Sequence, residues 1–351
     1  MINKYTILSF ILIVITLESC LKEKEIELLE GPTPYELDIP SHFPPVEIPI
    51  ENPMTVEGIE LGRHLFWDTR MSRNNTISCA SCHAPQYAFS DNIPFSSGVN
   101  GDLGKRNSMV LQNLAWVDEF LWDGAIHSLE EQILLPVMDS TEMDNTWSDF
   151  LNEVRYDNLY RELFYNAFGT LEPDSILAAK AIAQFLRTMI SGNSKYDKVL
   201  RYEANFTPDE NAGFSSFNSL TGGDCFHCHG GILGTDLSYK NNGLDEFPID
   251  SGRGLVTGLE SDNFKFKVPS IRNIEYSAPY MHDGRFNTLD QVIGFYSTGI
   301  HSNSPNLDPL IEFASQGGVQ LNPTERGQLK AFLLTLSDSA FIHNPKFSNP
   351  F

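Results

Sequence analysis

Cysteine is scarce in this 351-residue chain: there are five, and four of them form two Cys-x-x-Cys pairs, Cys79/Cys82 and Cys225/Cys228. If Cys20 is used elsewhere, none remains for a long-range disulfide, which excludes a disulfide-held scaffold. Positive charge is short as well. Lys and Arg number 24 against 46 Asp and Glu, a formal charge of -22. Such a surface repels phosphate backbones and argues against nucleic acid as a partner; it suits a basic protein instead. Alternating strand patterns are few, which points to an all-α fold. Histidine is absent between His83 and His127, and that gap matters below.

The N-terminus reads as an export signal. Lys4 precedes an apolar run, Ile7 to Leu17, that is too short to span a bilayer and suits a signal core. The run ends at Leu17-Glu18-Ser19-Cys20, which resembles the bacterial lipoprotein processing site, where acylation of the cysteine would anchor the protein to a membrane surface. The alternative is an ordinary cleaved signal with an incidental cysteine. Residues 1–20 are thus assigned to a signal peptide with a lipoprotein cysteine, and the expected location is the periplasm, on a membrane such as the outer membrane. Residues 21–55 are rich in Glu and Pro, lack a helical period, and read as an extended tether.

Beyond residue 55 the chain looks duplicated. Gly62-Arg-His-Leu-Phe66 precedes the first cysteine pair and Gly213-Phe-Ser-Ser-Phe217 the second. Each half closes on a similar apolar stretch, Gln184 to Met189 and Ala331 to Leu336. In the first, Ala178, Ile182, Phe185, Leu186 and Met189 share one helical face. Thr207-Pro208-Asp209-Glu210 and Asn322-Pro323-Thr324-Glu325 carry the cap, N1 proline and N3 glutamate of a helix start. The pattern predicts two small all-α domains, 56–197 and 198–345.

Paired cysteines serve zinc, redox disulfides, iron-sulfur clusters or covalent haem. Zinc leaves the histidine behind each pair unexplained, and a thioredoxin-type pair wants a βαβ setting that is missing. Haem accounts for all three residues. Two thiols on one helical turn add to the porphyrin vinyl groups, and the next residue places its imidazole on the iron. Cys79, Cys82 and His83 would hold one c-type haem; Cys225, Cys228 and His229 would hold the other. His227, inside the second motif, reads as a surface residue.

Further motifs carry a family resemblance. Arg106-Asn107-Ser108, Phe120-Leu-Trp122-Asp123-Gly124, Leu129-Glu-Glu-Gln132, Pro136, Glu142-Met143, Val268-Pro269-Ser270-Ile271-Arg272-Asn273 and Ala278-Pro279-Tyr280-Met281-His282-Asp283-Gly284 resemble the bacterial di-haem cytochrome c peroxidases and their MauG-like relatives, over roughly residues 52 to 340. The resemblance implies two cytochrome c-like domains. Hydrogen peroxide would meet the N-terminal haem, and the C-terminal haem would pass it electrons from a small redox protein, such as a cytochrome c or a cupredoxin. It implies Glu142 as the proton-transfer group, Gln132 and Pro136 in the same pocket, and Trp122 as an electron relay.

Classical members block the peroxide haem with a loop histidine. The gap after His83 leaves none here, so an open haem is expected, with His64 or His127 the only candidates to fold back. The distal ligand of the second haem falls among Met281, His282, Tyr296 and His301. The resemblance favours Tyr296, the MauG-like choice, with Met281 as the alternative. It also implies one calcium ion, held by the Asn107 side chain and the carbonyls of Lys267 and Pro269, and family members are often homodimers. Two other functions compete: MauG-like oxidation of residues in a partner protein, and electron transfer without turnover.

Overall fold

A computed structural model describes residues 31–351, and the readings placed on residues 1–30 lie outside it. Six helices frame both halves: α1 (Val56–Trp67), α2 (Leu129–Met138), α3 (Ser175–Arg187), α4 (Pro208–Phe217), α5 (Leu289–Thr298) and α6 (Pro323–Leu334). Side-chain oxygens start all six: Thr55, Ser128, Asp174, Thr207, Thr288 and Asn322 each accept from a backbone N–H of the first turn, worth about 1 kcal/mol apiece. Glu210 and Glu325 complete capping boxes behind their N1 prolines. Strand is confined, among the described residues, to one antiparallel pair, β1 (Tyr239–Lys240) with β2 (Phe266–Lys267), and a few single bridges. The fold is helix-rich with little strand. No helix among the described residues is long and apolar enough to cross a membrane.

The two halves repeat one packing solution. Helix α1 crosses α3, and α4 crosses α6. At each crossing a glycine lies against backbone: a Cβ on Gly62 would strike the Ala181 carbonyl and Phe185, and one on Gly213 would strike the Gln328 carbonyl and Phe332. Because the obstacle is backbone, it yields little. Gly62→Ala and Gly213→Ala should therefore each lower stability by roughly 1–3 kcal/mol, despite the better helix propensity of alanine, in chemical denaturation of the full protein.

Apolar burial follows the same division. One core gathers Leu61, Leu65, Phe66, Phe150, Phe164, Ile182 and Phe185; another gathers Phe217, Ile293, Leu329, Phe332 and Leu336. The first core also takes in Phe341, Ile342 and Phe347 from the far end of the chain. Arg63 fixes this returning segment by donating to the carbonyls of Ser348 and Pro345, and the Trp67 indole donates to that of Phe347.

Residues 32–55 form no helix but lie against the body. Phe43 and Asn52 are buried, Asn52 bonds Glu130 and the Lys180 carbonyl, and His42 Nε2 sits 2.9 Å from Asp197. Asp197 and Arg272 are buried almost completely and pair through 2.6 and 2.9 Å bonds.

Candidate haem site

Cys79 and Cys82 lie on one helical turn, Cys79–Cys82, while Cys225 stands at the N-cap of the turn Phe226–His229 that carries Cys228. The amide of His83 returns to the Cys79 carbonyl and that of His229 to the Cys225 carbonyl, so each histidine leaves its turn in the same way. In the first, Nδ1 of His83 lies 2.9 Å from the Phe89 carbonyl; in the second, Nδ1 of His229 lies 3.3 Å from that of Gly234. An Nδ1–H held by a carbonyl leaves Nε2 as the free, ligating nitrogen. Burial lowers both imidazole pKa values, keeping them neutral, as metal ligands must be.

The four thiols are free. Burial pushes Cys79 and Cys225 up to about 12 and Cys82 and Cys228 to about 11. Thiols held protonated make poor exchange partners, which disfavours the redox-disulfide alternative. Among the described residues no three of His, Cys, Asp and Glu converge in the way a metal ion needs.

A continuous cavity of about 1110 Å³ is lined by both motifs. It exceeds the usual upper range for a pocket holding one small ligand, roughly 1,000 Å³, and its wall is mostly apolar, as two flat porphyrins require. Gln132 and Pro136 of α2 and Glu142 of the following loop line it near the first motif. The buried Oε1 of Gln132 has no hydrogen-bond partner in the protein. Glu142 opens onto the cavity and is exposed by surface area. The crowded wall behind it, then neighbouring Asp139, raise its carboxyl pKa. Its charge is in turn felt by Cys79 and Cys82. These residues fit two thioether-linked haems.

His64 and His127 do not line the cavity. His64 is buried on α1 with Nδ1 at the Glu60 carbonyl, and the His127 side chain is 66% exposed beside Glu119. His301 is exposed and also outside the cavity wall, and His227 leans on Asp224.

Between the motifs the halves meet about an approximate twofold. Phe120-Leu-Trp122-Asp-Gly124 and Tyr280-Met-His282-Asp-Gly284 form matching turns, each with a bridge across its ends (Phe120 to Ile126, Tyr280 to Phe286). In each turn the second residue has positive φ, 69° at Leu121 and 74° at Met281. The turns exchange equivalent bonds: Lys267 N–H donates to the Trp122 carbonyl and Asn107 N–H to the His282 carbonyl, both at 2.7 Å. The Trp122 indole, buried, donates at 2.8 Å to the Asn107 carbonyl and meets the His282 ring edge-on at 6.5 Å. Trp122 thus belongs to the joint between the halves and lines the shared cavity. Arg106 braces the joint, pairing with Asp123 and Asp250.

Asn107, Lys267 and Pro269 all border the cavity. The Asn107 amide donates to the Ile93 and Pro94 carbonyls. The buried Lys267 ammonium, its pKa lowered by desolvation, lies 4.5 Å above the Tyr239 ring.

In the second half, Tyr296 and Met281 both line the cavity. Burial pushes the Tyr296 phenol up to about 12, partly offset by a hydrogen bond from Asn242. The Asn242 amide nitrogen lies 3.0 Å from the Tyr296 oxygen and 3.7 Å from the Met281 sulfur. No sequence signal had singled out Asn242.

The family model for di-haem cytochrome c peroxidase matches residues 56–205. The chain is 34% identical over 292 residues to the methylamine utilization protein MauG of Methylorubrum extorquens, covering 82% of this chain and 80% of that one. It is 31% identical to the cytochrome-c peroxidase IdrP1 of Pseudomonas sp. strain SCT, covering 85% of each. Among solved structures, a MauG-like protein associated with microbial copper homeostasis superposes with a TM-score of 0.81 at 34% identity, over 90% of this chain and 99% of that one. Two motifs on one cavity, a shared fold and matched sequences along most of its length lead to one conclusion: the chain belongs to the di-haem cytochrome c peroxidase family.

Proposed function

We propose that the protein reduces hydrogen peroxide to water, using two electrons and two protons per peroxide, at a haem held by Cys79, Cys82 and His83. The observation that carries this reading is the single cavity bordered by both Cys-x-x-Cys-His motifs, Glu142 and Trp122. Two c-type haems, one in each cytochrome c-like domain (56–197 and 198–345), would supply an iron that binds peroxide and a second redox centre that feeds it. The chain's residues do the rest. Glu142, its pKa raised, takes a proton from the near peroxide oxygen and gives it to the departing one. Gln132 and Pro136 shape the space around it. His83 is oriented by the Phe89 carbonyl and His229 by that of Gly234. With no histidine between 84 and 126, and His64 and His127 outside the cavity wall, none of these histidines would compete with peroxide for a haem held there. Trp122, at the joint, relays electrons from the domain of Cys225, Cys228 and His229.

The donor is a small basic redox protein, a cytochrome c or a cupredoxin, which the acidity of this chain favours. One calcium ion is assigned to the Asn107 side chain with the carbonyls of Lys267 and Pro269, a mixed oxygen set suited to that ion. The protein acts in the periplasm, anchored through lipid on Cys20 to a membrane such as the outer membrane, and as a homodimer. A second reading is favoured by Tyr296 in the cavity wall and by the MauG relative: oxidation of residues in a partner protein by the same site.

Mass spectrometry of protein matured with a haem-ligation apparatus tests the foundation: two haems added through four thioethers are expected, and four unmodified thiols would end the proposal. EPR followed by peroxide addition then separates the functions. A high-spin ferric signal that peroxide consumes, with fast oxidation of reduced cytochrome c, is the peroxidase result. Peroxide consumption without donor oxidation favours the protein-oxidising reading, and two low-spin signals inert to peroxide favour a carrier.

A further inference from the structure

The approximate twofold places residues of the two halves in register at an offset of 160: Leu121 with Met281, Trp122 with His282, Leu129 with Leu289, and Pro136 with Tyr296. In the first half, Leu121 and Pro136 offer only hydrocarbon. In the second, the same positions carry a thioether and a phenol, and both lie within reach of one amide, that of Asn242.

Asn242 is held firmly. Its neighbour Asn241 is buried and donates to the Ser304 hydroxyl at 3.0 Å and the Pro305 carbonyl at 2.7 Å. On the other side, Gly243 N–H donates to the Asn241 side chain at 2.9 Å, and the Gly243 carbonyl accepts from His301 N–H at 2.9 Å. Gly243 has φ of +74°, and a Cβ there would press on Ile300. The Asn242 side chain therefore projects from a clamped loop, while Tyr296 comes from α5 and Met281 from the turn Tyr280–Gly284. Three segments meet at one NH₂ group.

The two contacts are unequal. At 3.0 Å to oxygen the amide makes an ordinary hydrogen bond, whereas thioether sulfur is a weak acceptor. The inequality grows if the oxygen carries charge, because a donor to an anionic oxygen is about twice as strong as to a neutral one.

We propose that Asn242 is the positioning residue that selects Tyr296 over Met281 as the side chain presented to the haem of the second motif. It rests on the haem reading above. The amide fixes the phenol oxygen in the cavity and stabilises it when it ligates as phenolate, and it holds the sulfur aside on its second N–H. Loss of a hydrogen bond to a charged oxygen changes a preference by roughly ten- to a hundredfold.

The test uses the holoprotein with both haems confirmed by mass, so failure of the haem reading shows separately. Low-temperature EPR and resonance Raman of the ferric protein are compared for wild type, Asn242→Leu, Asn242→Asp, Tyr296→Phe and Met281→Leu. Wild type and Met281→Leu should share one phenolate signature, and Tyr296→Phe should lose it. Asn242→Leu should shift the population at least about tenfold toward a non-phenolate form. Asn242→Asp, of the same size but with an acceptor facing the phenol, should shift it likewise, and it serves if the leucine variant does not fold. Wild-type spectra in both Asn242 variants overturn the proposal. An unchanged spectrum in Tyr296→Phe overturns it as well, by removing the ligand it positions.

Discussion

Glu142→Gln should slow peroxide consumption by roughly two to four orders of magnitude, with both haems still attached and the ferric spectrum of the second unchanged. Glutamine keeps the size of the side chain and one hydrogen-bond acceptor but cannot shuttle a proton. The environment is suited to the shuttle: desolvation raises the carboxyl pKa, and the charge of Asp139 raises it further. The pH profile carries a second signature. A base that must be ionised to start the reaction gives a rate that falls on the acid side, and the raised pKa puts that fall at higher pH than for an unperturbed glutamate. Asp139→Asn removes one cause, so the acid limb should move to lower pH. The loop should survive this change, because the residue 139 side-chain oxygen that accepts from Thr141 is kept. Stopped-flow peroxide decay across pH measures both effects. An unaltered rate in Glu142→Gln removes the residue from the chemistry.

Arg272→Met should cost about 3–5 kcal/mol of stability, the largest structural effect expected of any single exchange here. The guanidinium is 1% exposed and pairs with a carboxylate that is fully buried. Removing it leaves Asp197 charged in the interior with His42 and Ser194 as its remaining partners. Burial alone would raise the Asp197 pKa, but Arg272 and His42 outweigh burial and hold it at about 2. The unfolded value is about 3.9. A carboxyl depressed on folding stabilises above its unfolded pKa, and that stability drains away as pH falls through about 2. In Arg272→Met the carboxylate becomes a liability near neutrality instead, so the gap between variant and wild type should narrow on acidification. Denaturation midpoints at several pH values give the comparison. A constant gap would mean that lost packing, including the guanidinium over the Phe43 ring at 4.8 Å, dominates over charge.

Much of this arrangement was legible before any coordinates. Covalent chemistry restricts spacing, so the two Cys-x-x-Cys-His runs stood out, and helix caps are local, so Thr207 and Asn322 announced their helices. The matching runs Gly62–Phe66 and Gly213–Phe217 marked the duplication; that each glycine approaches backbone at a helix crossing is seen only in the fold. Contacts that depend on distant partners were hidden. Residues 32–55 carry no period, since they follow a surface shaped by Glu130, Lys180 and Asp197 rather than a fold of their own. Asn242 has no motif around it; only the meeting of Tyr296 with Met281 gives it meaning. The likeness of Phe120–Gly124 to Tyr280–Gly284 was present in the letters but is weak in identity. Its common element is the pair of positive-φ residues in each turn, and backbone angle leaves little trace when leucine and methionine adopt it.

The apolar plug formed by Phe341, Ile342 and Phe347 imposes an order on biogenesis. As the chain is released from its N-terminus, the portion containing Cys79 and Cys82 emerges early, yet its hydrophobic interior lacks a wall until residues near 345 have followed. The half made first is the half completed last. Expressed alone, residues 56–205 would meet the solvent with Phe89 and Phe185 uncovered.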